Sequence, residues 1–167
     1  MFNSKSVLVA AVTFALTAPS VFAAESEVTW TNPDKYRDVK ASQMQNSKKF
    51  KENTFKRLEE HFAKLAEKLP EGQKLSIDVT DVDLAGDVNA GGIERIRIVK
   101  EIYSPRIKFS YELTDKDGQS LVAGEINLKD MNFMSTSRLK YRNDNLGYEK
   151  KMLDDWFAKT FAERISK

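Results

Sequence analysis

The run Asp81-Val82-Asp83-Leu84-Ala85-Gly86-Asp87-Val88-Asn89-Ala90-Gly91-Gly92 sets carboxylates at alternate positions ahead of a glycine, another aspartate and an asparagine, which is the oxygen-rich spacing of a calcium loop. A calcium loop of this length needs ligands at alternate positions up to the ninth, a glycine at the sixth and a bidentate glutamate at the end. Asp81, Asp83, Gly86 and Asn89 fill their places, but Ala85 stands where a fifth-position carboxylate belongs and Gly92 where the clamp belongs. Leu75, Ile77 and Val79 alternate with polar residues just upstream, so a strand rather than a helix enters the run. The aspartates then read as solvated charges along a strand, where they resist edge pairing. Calcium binding is the weakest of the functions considered.

Other chemistry is bounded by residue inventory. His61 is the sole histidine and there is no cysteine. That excludes a multi-histidine metal site within one chain, a thiol nucleophile and any disulfide framework. His61 lies in line with Leu58 and Leu65, at the border of an apolar helical stripe, and reads as a packed or half-exposed helix residue rather than a base. Asp154 and Asp155 are adjacent, and on a helix neighbours diverge by about 100 degrees, so they do not form one acid and base pair and read as a solvated helix face. Gly86, Gly91 and Gly92 follow a strand without phosphate-loop spacing. The pentad Arg138-Leu139-Lys140-Tyr141-Arg142 mixes basic and aromatic side chains as a nucleic-acid or glycan contact does, but Lys+Arg 27 against Asp+Glu 25 gives no field for nucleic acid, and the pentad reads as a solvated loop. No catalytic residue, cofactor or metal ligand is assigned. A hydrolase built from carboxylates distant in sequence stays open, because such partners need no spacing.

The elements that must position any site begin after a leader. Met1 to Lys5 carry one positive charge, Val7 to Leu16 are mostly apolar, and Val21-Phe22-Ala23 end the segment with small residues at the positions a signal peptidase reads. The apolar stretch is short of the about 20 residues that span a bilayer. The expectation is a cleaved signal peptide over 1–23, a single domain over 24–167, and a periplasmic location with no membrane span.

Val28 and Trp30 alternate with polar residues as a short strand, and Asp34 to Gln45 reads as irregular. Phe50, Phe55, Leu58, Phe62, Leu65 and Leu69 recur at helical spacing and predict an amphipathic helix over 47–69, stopped by Pro70 and Gly72. From Leu75 the strand alternation holds to Val79 and then switches parity to Val82 and Leu84, which predicts a bulge. Ile93 to Ile102 fits a short helix or a strand over about 95–99, of which the strand is the expectation. Ile107, Phe109, Tyr111 and Leu113, then Val122, Gly124, Ile126 and Leu128, predict a hairpin about a two-residue Asp117-Gly118 turn, pairing Leu113 with Val122, Tyr111 with Gly124, Phe109 with Ile126 and Ile107 with Leu128. After a loop over 129–143, Leu146, Leu153, Trp156, Phe157 and Phe161 mark a helix over about 146–165, with Asp144 or Asn145 as cap. The order predicts an α+β two-layer sandwich: a mainly antiparallel sheet of four to five strands with two helices on one face.

The stretches VTWTNPDKYRDV from Val28, TDVDLAGD from Thr80, YSPRIKFSYEL from Tyr103, KDMNF from Lys129 and YEKKMLDDWF from Tyr148 together resemble a proteobacterial family of exported proteins known as domain of unknown function 3016. The resemblance covers nearly all of the chain after the leader. It implies a one-domain envelope protein and brings no activity, cofactor or catalytic residue. The residues themselves favour a binding or accessory module without intrinsic catalysis, whose partner is an unknown envelope protein or polymer. The hairpin register places Lys108, Ser110 and Glu112 beside Ala123, Glu125 and Asn127 on the face that the helices leave bare, and Lys108, Ser110, Glu112, Glu125 and Asn127 are the expected contact residues.

Overall fold

The computed structural model describes residues 23–40, 46–88, 96–135 and 139–165. The expected leader, apart from Ala23, lies outside the described residues. Strand β1 is Glu25–Trp30, with Val28 and Trp30 turned toward the core and Glu25, Glu27 and Thr29 exposed. The chain then makes a short 3-10 turn over Pro33–Lys35 and buries Tyr36, whose hydroxyl donates to the Val79 carbonyl. The segment read as irregular from Asp34 therefore contributes to the core.

Helix α1 is Ser47–Ala66. Asn46 Oδ1 accepts from the Lys49 N–H at 3.0 Å, satisfying one of the donors that a helix start leaves free. Leu58, Phe62 and Leu65 are fully buried, and Phe50 and Phe55 pack against the same core. The helix ends three residues before the expected Leu69. The N–H groups of Glu67, Lys68 and Leu69 bond back to Ala63, Leu65 and Ala66, a tightened last turn that still buries Leu69 ahead of Pro70.

Strands β2 (Lys74–Asp83), β5 (Arg106–Thr114) and β6 (Ser120–Lys129) complete a four-stranded sheet in the order β1-β2-β5-β6. Between β2 and β5 the chain pairs β3 (Asp87–Val88) with β4 (Arg97–Ile98) as a separate two-stranded ribbon. The strand expected over 95–99 is thus two residues long, with Arg95 outside the described residues. β1 runs parallel to β2, a pairing made possible by the α1 crossover, and the other main-sheet neighbours are antiparallel. The parity switch in β2 is a bulge at Thr80, where the register with β5 slips between Val79 and Asp81. All four expected hairpin pairs are present. The turn differs from expectation. Asp115 N–H bonds to the Gln119 carbonyl across a three-residue loop, Gly118 takes the left-handed conformation at φ 78°, and a one-residue slip between Leu113 and Thr114 absorbs the difference. The bulge leaves the register beyond it unchanged.

Helix α2 is Gly147–Thr160, shorter than the expected 146–165 because the chain leaves the helix at Phe161 and continues in turns. Leu146 occupies the cap position, and Asp144 serves it indirectly by accepting from the Leu146 N–H. Trp156 sits edge-on to Phe109, Tyr111 and Phe161, with ring centroids 4.8, 5.3 and 5.7 Å away, and fixes α2 on the sheet. On the opposite side Trp30 stacks on Phe55 at 4.0 Å and donates to Glu59, which fixes α1 on β1. Both helices share one core and lie on one face, in an α+β sandwich of the predicted kind. No helix among the described residues is long and apolar enough to cross a membrane.

Candidate functional site

Arg97 anchors the ribbon to the body. Its guanidinium donates to Asp38 Oδ2 at 2.8 Å, to the Gly86 carbonyl at 2.9 Å and to the Lys40 carbonyl at 3.0 Å. Asp38 is 6% exposed, so the pair sits in a half-dry corner where a charged hydrogen bond is strong. Gly86 takes φ 82° there, and a Cβ on it would lie 2.6 Å from the Ile98 carbonyl oxygen. Only glycine lets β2 turn this close under β4.

Behind that corner stands Glu149, in the first turn of α2. It is 1% exposed, and its Oε1 accepts from the Ala85 N–H at 2.7 Å while Oε2 has no partner among the described residues. Burial pushes its carboxyl above the ordinary value, more than Ala85 and the Arg97 charge pull it down.

In front lies a cleft of about 850 Å³, within the size range of ligand sites. Leu84, Ala85, Phe50 and Thr54 contribute its apolar base, Ile96 and Val99 on the segment carrying β4 form one wall, and Lys56, Arg57 and Glu60 of α1 form another. Arg142, Asn143, Asp144 and Asn145 close it ahead of α2, with Lys40 at the margin. Asp144 is held by Arg57, by Lys150 at 2.7 Å and by the Leu146 N–H at 2.8 Å. Burial alone would raise its carboxyl, but these bonds and the two cations outweigh it and hold the group below the usual carboxylate range. The side chains of Lys40, Lys56 and Arg142 have no hydrogen-bond or ion-pair partner among the described residues.

His61 is buried at 5% exposure, with Nε2 3.0 Å from Asp154 Oδ1 in a contact outside hydrogen-bond geometry. Asp154 Oδ2 accepts from the Tyr141 hydroxyl at 2.7 Å and from Lys140 at 2.9 Å. Burial lowers the imidazole pKa against the pull of Asp154. Asp154 is therefore no solvated helix residue, as its spacing suggested. It ties α1, α2 and the 3-10 turn Leu139–Tyr141 together, whereas Asp155 is exposed and pairs with Lys151. Lys140 and Tyr141 of the basic pentad are likewise engaged, and Arg138 lies outside the described residues.

Asp81 accepts from the Arg37 N–H and Asp83 pairs with Arg37 at 3.7 Å. Asn89 to Gly92, the rest of the calcium-like run, lie outside the described residues. No group of three or more His, Asp or Glu side chains among the described residues could hold a metal ion. Lys108, Ser110 and Glu112 lie opposite Asn127, Glu125 and Ala123 on the helix-free face, which also carries Lys74, Asp78 and Arg106 and, among the described residues, no large apolar side chain. That face and the cleft are different surfaces, and the cleft was not read from the sequence.

A family model described as protein of unknown function (DUF3016) matches residues 24–159. No curated protein and no solved structure matches the chain.

Proposed function

The chain belongs to this family of proteins of unknown function, and we propose that it works in the cell envelope as an exported binding module that holds a negatively charged ligand in the cleft. The observation that carries the reading is the lining: Lys40, Lys56, Arg57, Arg97 and Arg142 against Glu60 and Asp144, with three of the cations unpaired among the described residues. A concave surface with an excess of one charge concentrates ligands of the other sign, even on a chain with a net charge of only +2. The competing hydrolase needs two carboxylates that exchange a proton across one substrate. Asp144 is committed to two cations and a backbone N–H, and Glu149 is turned to the Ala85 N–H behind the lining. Binding suits these groups better than acid and base work. Export is supported by the leader pattern over 1–23 and by a family match that starts at residue 24. Intact mass of periplasmic material is expected to start at Ala24, and a mass that retains the leader overturns export.

A second surface stays in the proposal: Lys108, Ser110, Glu112, Glu125 and Asn127 share one face of the hairpin, a polar patch suited to a partner protein or polymer. Two variants separate the surfaces. Lys56→Glu with Arg142→Glu reverses the cleft, and Lys108→Glu with Glu125→Lys rearranges the sheet face at constant net charge. Capture of pyrophosphate and of a polyphosphate chain, followed by calorimetry at low and moderate salt, is expected to fail for the first variant alone. Loss with the second alone moves the working site to the sheet, and unchanged binding in both refutes the cleft reading.

A further inference from the structure

The cleft has an aliphatic wall that an anion alone does not use. Ile96 is 52% exposed and Val99 40% exposed, and both line it. They flank β4, whose Arg97 is locked by four carbonyl and carboxylate oxygens, so the wall is held in place while its two apolar side chains face solvent. Large aliphatic groups left uncovered on a fixed wall mark a contact surface. The cations stand across from them on α1 and on the segment before α2, where Lys56 and Arg142 have no partner among the described residues.

We infer that the ligand of this cleft is an anionic amphiphile, with a phosphate-type head between Lys56 and Arg142 and a hydrocarbon segment along Ile96 and Val99. The inference rests on the cleft reading above and names the class of ligand. A hydrocarbon chain suits the aliphatic wall better than an extended peptide does. A peptide would add to a strand ladder, and β4 offers two residues, too few to register one. A chain needs no backbone partner. Each methylene fully buried there strengthens binding about fourfold, and the head supplies charge that weakens with salt.

Calorimetry on the mature full chain separates the parts with four probes: dodecyl phosphate below its micelle-forming concentration, dodecyl maltoside with the same tail and no charge, inorganic phosphate with the charge and no tail, and hexaglutamate. Dodecyl phosphate is expected to bind at least tenfold more tightly than any of the other three. Ile96→Ser with Val99→Ser should remove that advantage, and Lys56→Glu with Arg142→Glu should abolish binding at low salt. Ile102→Ser, an exposed apolar site outside the cleft, should change nothing. All these side chains are exposed or lie on the cleft surface, and thermal melts equal to the parent confirm that each variant is folded. Equal affinity for phosphate or hexaglutamate overturns the amphiphile while leaving the anion-binding cleft standing. Equal affinity for dodecyl maltoside, or no binding of any probe, overturns both. Loss of the dodecyl phosphate advantage in Ile102→Ser as well shows non-specific detergent adsorption and also overturns the inference.

Discussion

Gly86→Ala probes the joint between the sheet and the ribbon. Alanine at φ 82° incurs backbone strain of about 1–2 kcal/mol. Its methyl would lie 2.6 Å from the Ile98 carbonyl oxygen and 3.2 Å from the Val99 Cα, both main-chain atoms that cannot rotate away. Forcing such a contact adds about 1–3 kcal/mol, for a total of about 2–5 kcal/mol. Gly118→Ala is the matched control, since Gly118 has φ 78° with no heavy atom within 4 Å of the added carbon. It should lose the conformational part alone, about 1–2 kcal/mol. Urea denaturation of the two variants beside the parent measures the difference, and Gly86→Ala is expected to be the weaker by at least about 1 kcal/mol. It should also bind cleft ligands less well, because β4 carries the aliphatic wall and must retreat. Equal losses would show that β4 yields freely and that the close approach under it does not order the cleft.

The remaining predictions concern buried groups. Glu149 has a raised folded pKa, so its contribution to stability is full below the ordinary value of 4.5 and is lost as pH rises through the folded value; Glu149→Gln keeps the acceptor for Ala85 and should exceed the parent in stability at pH 8, with the gap closing toward pH 4 in urea midpoints. His61 has a lowered folded pKa, so its contribution is full above 6.5 and is lost as pH falls below it; His61→Gln should flatten the change in melting temperature between pH 7.5 and 5.5, and an unchanged slope would place the titration elsewhere. Trp156→Ala should cost about 3–5 kcal/mol through the cavity left among Phe62, Phe109 and Tyr111. A variant that melts like the parent would mean that the ring is not a core element.

Period-two and helical patterns made the fold readable where burial is one-sided. β5 alternates from Ile107 to Leu113 and β6 from Val122 to Leu128, so their register followed from matching apolar residues even though the turn was assigned one residue too short. The ribbon was poorly legible because two paired residues carry almost no periodic signal. The cleft was illegible for another reason: Lys40, Arg57 and Arg97, and Arg142 with Asp144, come from four separate segments, and no local spacing joins them. One signal was available. Glu149 falls on the helical stripe of Leu146, Leu153 and Trp156, and a carboxylate at an inward position calls for a partner. Asp154 was misread for want of the same test, since its neighbours His61 and Tyr141 lie on other elements.

β1 is the first strand among the described residues and an edge of the sheet, and its neighbour is β2, with Glu25 beside Lys74. A chain that emerges from its N-terminus, at a ribosome or through a narrow pore, presents β1 long before there is a ladder for it to join. When β2 follows, it still has one side open until Arg106 to Thr114 arrive, and the hairpin closes only with β6. Assembly therefore waits until most of the chain is out and then proceeds through distant pairings, which form slowly. Through that interval the early segments have at most the β1–β2 pair and lack the central ladder, and a chain in that state can still be threaded.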